Sequence, residues 1–214
     1  MEEKRQETEI TEETKKPEEK RSFLHDFYSL LHDLVYILAA ITLIFVFCVR
    51  LVGVNGDSML PTLRHGDYLA LQSNMIMGKL ERGDIIVARK LSFEDGEPIV
   101  KRVIATEGQT VDIRYDDSGR GTVYVDGAAL DEPYINEPMD PKYTGSNGTQ
   151  LPLTVEKDCV FVMGDNRNHS ADSRYADIGQ IRLDQVLGKV LFIVFPGYNA
   201  DQTTRSFSRI GAVS

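Results

Sequence analysis

The sequence predicts a mainly β domain carried on a single N-terminal transmembrane helix. Two observations predict it. One uninterrupted apolar stretch lies near the start of the 214-residue chain. Beyond Gly53 the pattern changes to short runs rich in Val, Ile and Tyr, which fit pleated, half-buried strands. No helical periodicity recurs after Leu63 except a short turn near Leu183–Val186. With 42% hydrophobic and 27% charged residues, the composition is that of one sizeable globular domain plus appendages.

Residues 1–21 are almost wholly polar and rich in Glu, Lys and Thr. Such a segment buries too little apolar area to offset chain entropy, so a disordered tail is expected. Phe23, Leu24, Phe27, Tyr28, Leu30 and Leu31 then fall at near-helical spacing, as in a turn entering a membrane. Leu34 to Val49 carries no charge. Sixteen helical residues span about 24 Å, a little short of a bilayer core. Leu51 and Val52, with Val54 beyond them, lengthen the stretch if Arg50 snorkels to the interface, which sets the anchor at residues 34–52. Missing amphipathic alternation argues against a buried core helix. The charged preamble and the lack of a small-x-small exit argue against a cleavable signal peptide. Lys15, Lys16, Lys20 and Arg21 place residues 1–33 in the cytoplasm, with Arg50 opposing weakly. The rest of the chain is then expected outside the cytoplasm.

Strands are predicted at Tyr68–Leu71, Asp84–Arg89, Ile99–Ala105, Thr110–Tyr115, Thr122–Val125, Cys159–Met163 and Val186–Phe195. Asp126 and Gly127 suit a hairpin turn. The Pro-, Gly-, Asn- and Ser-containing stretch from Asp131 to Pro152 reads as a loop. The domain is thus expected over residues 53–200, with a β and loop excursion at about 110–158 and a polar tail at 201–214. The net charge of −9 divides as −4 over residues 1–33 and −5 over the rest. Neither part offers a basic face for a phosphate backbone, so nucleic-acid binding is not expected. Cys48 and Cys159 form no disulfide framework and read as small buried hydrophobes.

Three blocks carry the chemistry. In GDSMLPT, Gly56 permits unusual backbone before Ser58, and Pro61 favours a tight turn after it. A serine on such a turn presents its hydroxyl and its own N–H together, which suits a nucleophile, although a helix cap uses the same residues. In VKRVIATEG, period-two alternation puts Lys101 with Ile99 and Val103 on one face, and Arg102 with Val100 and Ile104 on the other. A lysine on the core side loses hydration, which penalises its ammonium and tunes it as a base. In GDNRNHSADSR, Gly164 and Asp165 favour a turn. Ser170 could orient a lysine amine, and Asp172 and Arg174 could pair to stiffen the loop.

With these blocks in order, the chain resembles type I signal peptidases, membrane-bound serine–lysine endopeptidases that remove leader peptides from exported proteins. The carrying residues are S-M-L-P-T from Ser58, K-R-V from Lys101 and G-D-N-R-N-H-S-A-D-S-R from Gly164. GDIIVAR at Gly83–Arg89 and VYVDGAALDEPYI from Val123 add to them. The similarity runs from about Leu34 to Phe195. It implies a signal-peptidase-like coiled antiparallel β-sheet domain, a Ser58 nucleophile, a Lys101 general base, and support from Ser170, Asp172 and Arg174. It also implies that Met59 lies beside the pocket for the residue preceding the cut. The substrates implied are signal peptides of exported preproteins, usually with Ala at the first and third positions before the cut. The bilayer is the other partner, and no metal or cofactor is implied. Some members carry a serine side-chain oxyanion donor two positions before the nucleophile, where this chain has Gly56. Three rivals are a histidine base at His169 or His65, a catalytically silent anchored β-module, and a serine–lysine pair directed at self-cleavage.

Overall fold

The structure, a computed structural model, describes residues 23–143, 148–199 and 203–213. The tail expected at residues 1–21 lies outside the described residues. The chain forms two compact units that divide between Thr42 and Leu43.

Helix α1 occupies Phe23–Phe47. It begins eleven residues before the anchor read from the sequence, because the mixed stretch from Phe23 is helical as well. Among the described residues this helix is long and apolar enough to cross a membrane: Phe23–Phe45 has a mean hydropathy of 1.8. Twenty-three residues rise about 35 Å, which matches a hydrocarbon core without any extension. Leu34, Ile37, Leu38, Ile41 and Ile44 are all exposed. A soluble protein's core helix would cover them.

The apolar stretch does not continue as helix through Leu51 and Val52. Instead β1 (Val49–Gly53) pairs antiparallel with β2 (Tyr68–Ser73). The following strands are β3 (Ile85–Arg89), β4 (Pro98–Thr106), β5 (Thr110–Tyr115), β6 (Gly121–Val125), β7 (Ala128–Ala129), β8 (Leu153–Thr154), β9 (Cys159–Met163), β10 (Ile181–Arg182), β11 (Val186–Phe195) and β12 (Gly211–Ala212). The larger sheet runs in the order β1-β2-β11-β3-β4-β9-β10, with β12 also on β11. The excursion forms its own sheet, β7-β6-β5-β8. The turn between β6 and β7 places Asp126 at φ 53° and Gly127 at φ 81°, the paired positive values of a two-residue hairpin turn.

Strands β3, β4 and β9 of the larger sheet are buried on both faces, and this governs the site. In β3, Ile85 and Val87 enter one apolar cluster with Leu63, Leu69 and Leu71, while Ile86 and Ala88 enter another with Val103, Val162 and Val186. In β9, Val160 and Val162 join the second cluster, and Phe161 and Met163 join a third with Val111, Val123 and Val125. Cys159 is buried in that third cluster, and Cys48 is half-buried. β4 is covered from Ile99 to Ala105 without a break. The alternation argument allowed one basic residue on the core side; here both Lys101 and Arg102 are buried.

Where β11 crosses β2 the backbones approach closely. A Cβ at Gly188 would collide with the Gln72 carbonyl and sit 3.3 Å from Leu71 Cβ. Gly188→Ala is therefore expected to lower stability by about 1–3 kcal/mol, seen as an earlier denaturant midpoint with an unchanged slope.

Candidate active site

Ser58 follows the last residues of β1 on a turn closed by Leu60 N–H to Asp57 O (3.2 Å) and Leu63 N–H to Met59 O (2.8 Å). Gly56 has φ +98°, a conformation that side chains resist, which accounts for glycine at the head of the turn. Its N–H donates to His65 Nδ1 at 3.2 Å. From the other side, Asn166 donates its backbone N–H to Ser58 O and its side-chain amide to Asp57 O, both at 3.0 Å. Among the described residues the Ser58 N–H has no acceptor.

The side chain facing Ser58 is Lys101. Its Nζ lies 2.8 Å from Ser58 Oγ and donates to Val100 O at 2.9 Å. The residue is 5% exposed. Period two sends Arg102 the other way. There its guanidinium grips Asp165 through Nε and Nη2, both at 2.8 Å, donates to Gly83 O, and lies 4.0 Å from the Tyr134 ring centre. Burial first, then the Glu132 charge, raises the Tyr134 phenol above its ordinary value. Thr62 Oγ1 donates to Asp165 Oδ2 at 2.6 Å. Asp165 thus ties the serine turn, the lysine strand and the third block together, whereas the sequence suggested only a turn former.

The third block is buried rather than solvated. Asp172 and Arg174 form a two-pronged pair, Nε to Oδ1 at 2.7 Å and Nη2 to Oδ2 at 2.8 Å. Oδ2 also accepts from Gly164 N–H (2.9 Å) and Ser170 Oγ (2.8 Å). With its proton committed to Asp172, the Ser170 hydroxyl presents lone pairs to any further donor. Burial alone would raise the Asp172 carboxyl. The Arg174 charge and these hydrogen bonds outweigh it and hold the group below its ordinary 3.8. Arg167 makes a second such pair with Glu132, at 2.6 and 2.8 Å. Gly164 packs where a Cβ would collide with both Ser170 Oγ and Ser58 O.

A cleft of about 500 Å³ opens over the pair, lined by Val52, Val54, Ser58, Met59, Ile99 and Lys101 among others. Met59 is 1% exposed, with one side on the cleft and the other in the first apolar cluster. His169 is exposed at the cleft wall. His65 is turned to the Gly56 amide, and the base nearest Ser58 Oγ is Lys101. Sequence reasoning missed Arg102, Glu132, Gly164, Asp165, Asn166 and His65. Arg102, Glu132, Gly164, Asp165 and Asn166 stand inside the quoted motifs, so position was the available signal; His65 was weighed only as a rival base, and its bond to the Gly56 amide had no local signal.

The family model described as signal peptidase, peptidase S26, matches residues 28–195. Signal peptidase I of Bacillus amyloliquefaciens is 35% identical over 158 residues, covering 70% of this chain and 76% of that protein. Signal peptidase IB of Staphylococcus aureus is 34% identical over 184 residues, covering 78% and 90%. A crystal structure of a signal peptidase I from Enterococcus faecalis, 34% identical, covers 53% of this chain and 97% of that chain with a TM-score of 0.41.

Two outcomes follow from this packing. Gly164→Ala must part Ser170 from the Ser58 turn, and is expected to lower turnover about tenfold or more while the chain stays folded. Asp172→Asn strips Arg174 of its buried counter-charge and is expected to cost about 3–5 kcal/mol at pH 7. A carboxyl held low in the folded state stabilises above its unfolded value and loses that contribution as pH falls through the folded one. The gap between parent and Asp172→Asn should therefore close in unfolding curves taken well below pH 3.8.

Proposed function

Because the chain belongs to the signal peptidase family, peptidase S26, we propose that it removes signal peptides from exported preproteins, with Ser58 as nucleophile and Lys101 as general base. The supporting observation is the 2.8 Å approach of Nζ to Oγ at a lysine that is 5% exposed. Burial disfavours the ammonium, and a neutral amine has the lone pair that a base needs. One Nζ–H donates to Val100 O, which leaves that lone pair for the Ser58 hydroxyl.

β1 is the end strand of the larger sheet, and Val52 to Asn55 line the cleft. The extended cleavage region of a preprotein lies beside this strand, so main-chain pairing supplies affinity and shallow pockets admit small alternate side chains. Ser58 Oγ attacks the scissile carbonyl carbon as Lys101 takes its proton. The oxyanion is steadied by the free Ser58 N–H. Lys101 then protonates the leaving amine, the C–N bond breaks, and Ser58 holds the acyl group. A water deprotonated by Lys101 attacks the ester, Lys101 hands that proton to the departing Ser58 Oγ, and the signal peptide leaves as an acid whose carboxyl proton passes to solvent. Ser170, Asp172 and Arg174 keep the third block against this pair.

Helix α1 is the anchor in this reading, with the cytoplasm on its amino side and the peptidase domain on the other face of the membrane. The substrate is itself held in the bilayer, so anchoring confines the encounter to one surface. The test uses the full chain in detergent with a leader-bearing preprotein. The parent should release the mature protein. Ser58→Ala and Lys101→Ala should each fall to background, and His169→Ala should keep turnover within about threefold. Cleavage surviving in Lys101→Ala near neutral pH would refute the assigned base. Indifference to Ser58→Ala would favour the silent module.

A further inference from the structure

Asp67 is wholly buried. Its Oδ1 accepts from Gly197 N–H (2.6 Å) and Arg209 Nη1 (2.8 Å), and its Oδ2 from Arg64 N–H (2.8 Å) and Arg209 Nη2 (2.7 Å). Arg209 Nη2 also donates to Thr62 O at 3.1 Å. One guanidinium from the end of the chain thus holds both ends of the segment 62–67. The same segment is pressed from outside by Gly197, where a Cβ would collide with the His65 carbonyl, and Arg64 Nη1 donates to Asn199 Oδ1 at 2.7 Å.

Segment 62–67 in turn fixes the nucleophile's surroundings. Val54 N–H donates to Asp67 O and Gly66 N–H to Val54 O, which sets where the chain leaves β1. His65 holds the Gly56 amide, and Thr62 Oγ1 holds Asp165, the partner of Arg102 beside Lys101. The match to the family ends at residue 195. Gly197, Asn199 and Arg209 all lie past it. β12 secures this tail by pairing Ala212 with Phe192 and Gly211 with Ile193 on β11.

We propose that residues 196–199 and 203–212 are a clasp and that Arg209 is a positioning residue for the Ser58 turn. Through Thr62 and Asp67 it sets the distance and angle between Ser58 Oγ and Lys101 Nζ without touching either. The inference rests on the reading of Ser58 as nucleophile. A positioning role predicts loss in the chemical step with substrate affinity preserved, whereas a purely structural role predicts loss of folding alone.

The substitution that separates these is Arg209→Lys. It keeps the charge for Asp67, but one ammonium lacks the planar fork that reaches both carboxylate oxygens and the Thr62 carbonyl. Arg209→Lys and the charge-neutral pair Asp67→Asn with Arg209→Gln are compared with the parent as full chains in detergent. Three quantities are read: thermal unfolding, kcat and KM on a signal-peptide substrate, and the rate at which a small serine-reactive acylating probe labels Ser58. The Lys variant should melt close to the parent, with kcat and labelling rate down about tenfold and KM within about twofold. The neutral pair should recover melting without recovering labelling. Slow labelling supports the clasp even where the signal-peptide substrate is not cut, a result that would fail the substrate reading alone. Parent labelling rates in a folded variant overturn the proposal. Collapse of the charge-retaining Lys variant also overturns it, because Arg209 would then be a folding element. A parent chain whose Ser58 resists the probe overturns it as well, because there is then no activated serine for Arg209 to position.

Discussion

A lysine amine can face a serine hydroxyl away from water only if every other charge drawn into the same interior is matched. Arg102, Arg167 and Arg174 are each at most 2% exposed, and each is gripped by a carboxylate, Asp165, Glu132 and Asp172 respectively. An unmatched guanidinium there would cost several kcal/mol, and its field would bear on the neighbouring amine. Among the contacts of Lys101 Nζ are a hydroxyl and a main-chain carbonyl. The three ion pairs therefore serve two ends. They permit polar blocks to enter a dry interior, and they keep that interior close to electrically neutral around the Ser58–Lys101 contact.

The sheet makes this arrangement possible because its inner strands β3, β4 and β9 are covered on both faces. Adjacent residues on β4 then enter different buried environments: Lys101 meets the serine turn, while Arg102 meets the third block. A strand with one wet face would have exposed one of them. Two-sided burial also explains the near-continuous apolar runs of β3 and β9, whose alternate side chains feed separate clusters. Gly164 completes the convergence by lacking a side chain where β9 delivers the third block onto Ser58.

Much of this was legible in the sequence. Thr110–Tyr115, Cys159–Met163 and Val186–Phe195 were bounded as observed, since β-branched runs closed by Gly, Asp or Pro state their own limits. Val49–Gly53 was not, because an apolar run joined to a hydrophobic helix carries no periodicity that marks where helix yields to strand. The pairing of Asp172 with Arg174 was readable from its local spacing. Arg102 with Asp165, Arg167 with Glu132 and Arg209 with Asp67 join residues 63, 35 and 142 positions apart, and nothing local encodes them. The last residues read as a polar tail, although one buried carboxylate, Asp67, holds Arg209 of that tail on the domain.

In the proposed mechanism, Gly56 leaves the oxyanion to main-chain donors. Position 56 offers no side chain, and its amide is itself engaged by His65. Stabilisation of developing charge depends on a donor already aimed before reaction, since reorienting it during the step would consume the gain. The turn at Ser58 is held from both directions, by His65 on the Gly56 amide and by Asn166 on the carbonyls of Asp57 and Ser58. The Asp57 carbonyl shares one planar peptide group with the Ser58 N–H, so the Asn166 amide that holds the carbonyl also fixes the direction of that N–H. A rigid main-chain donor of that kind can carry a load that a more mobile turn would share with a hydroxyl.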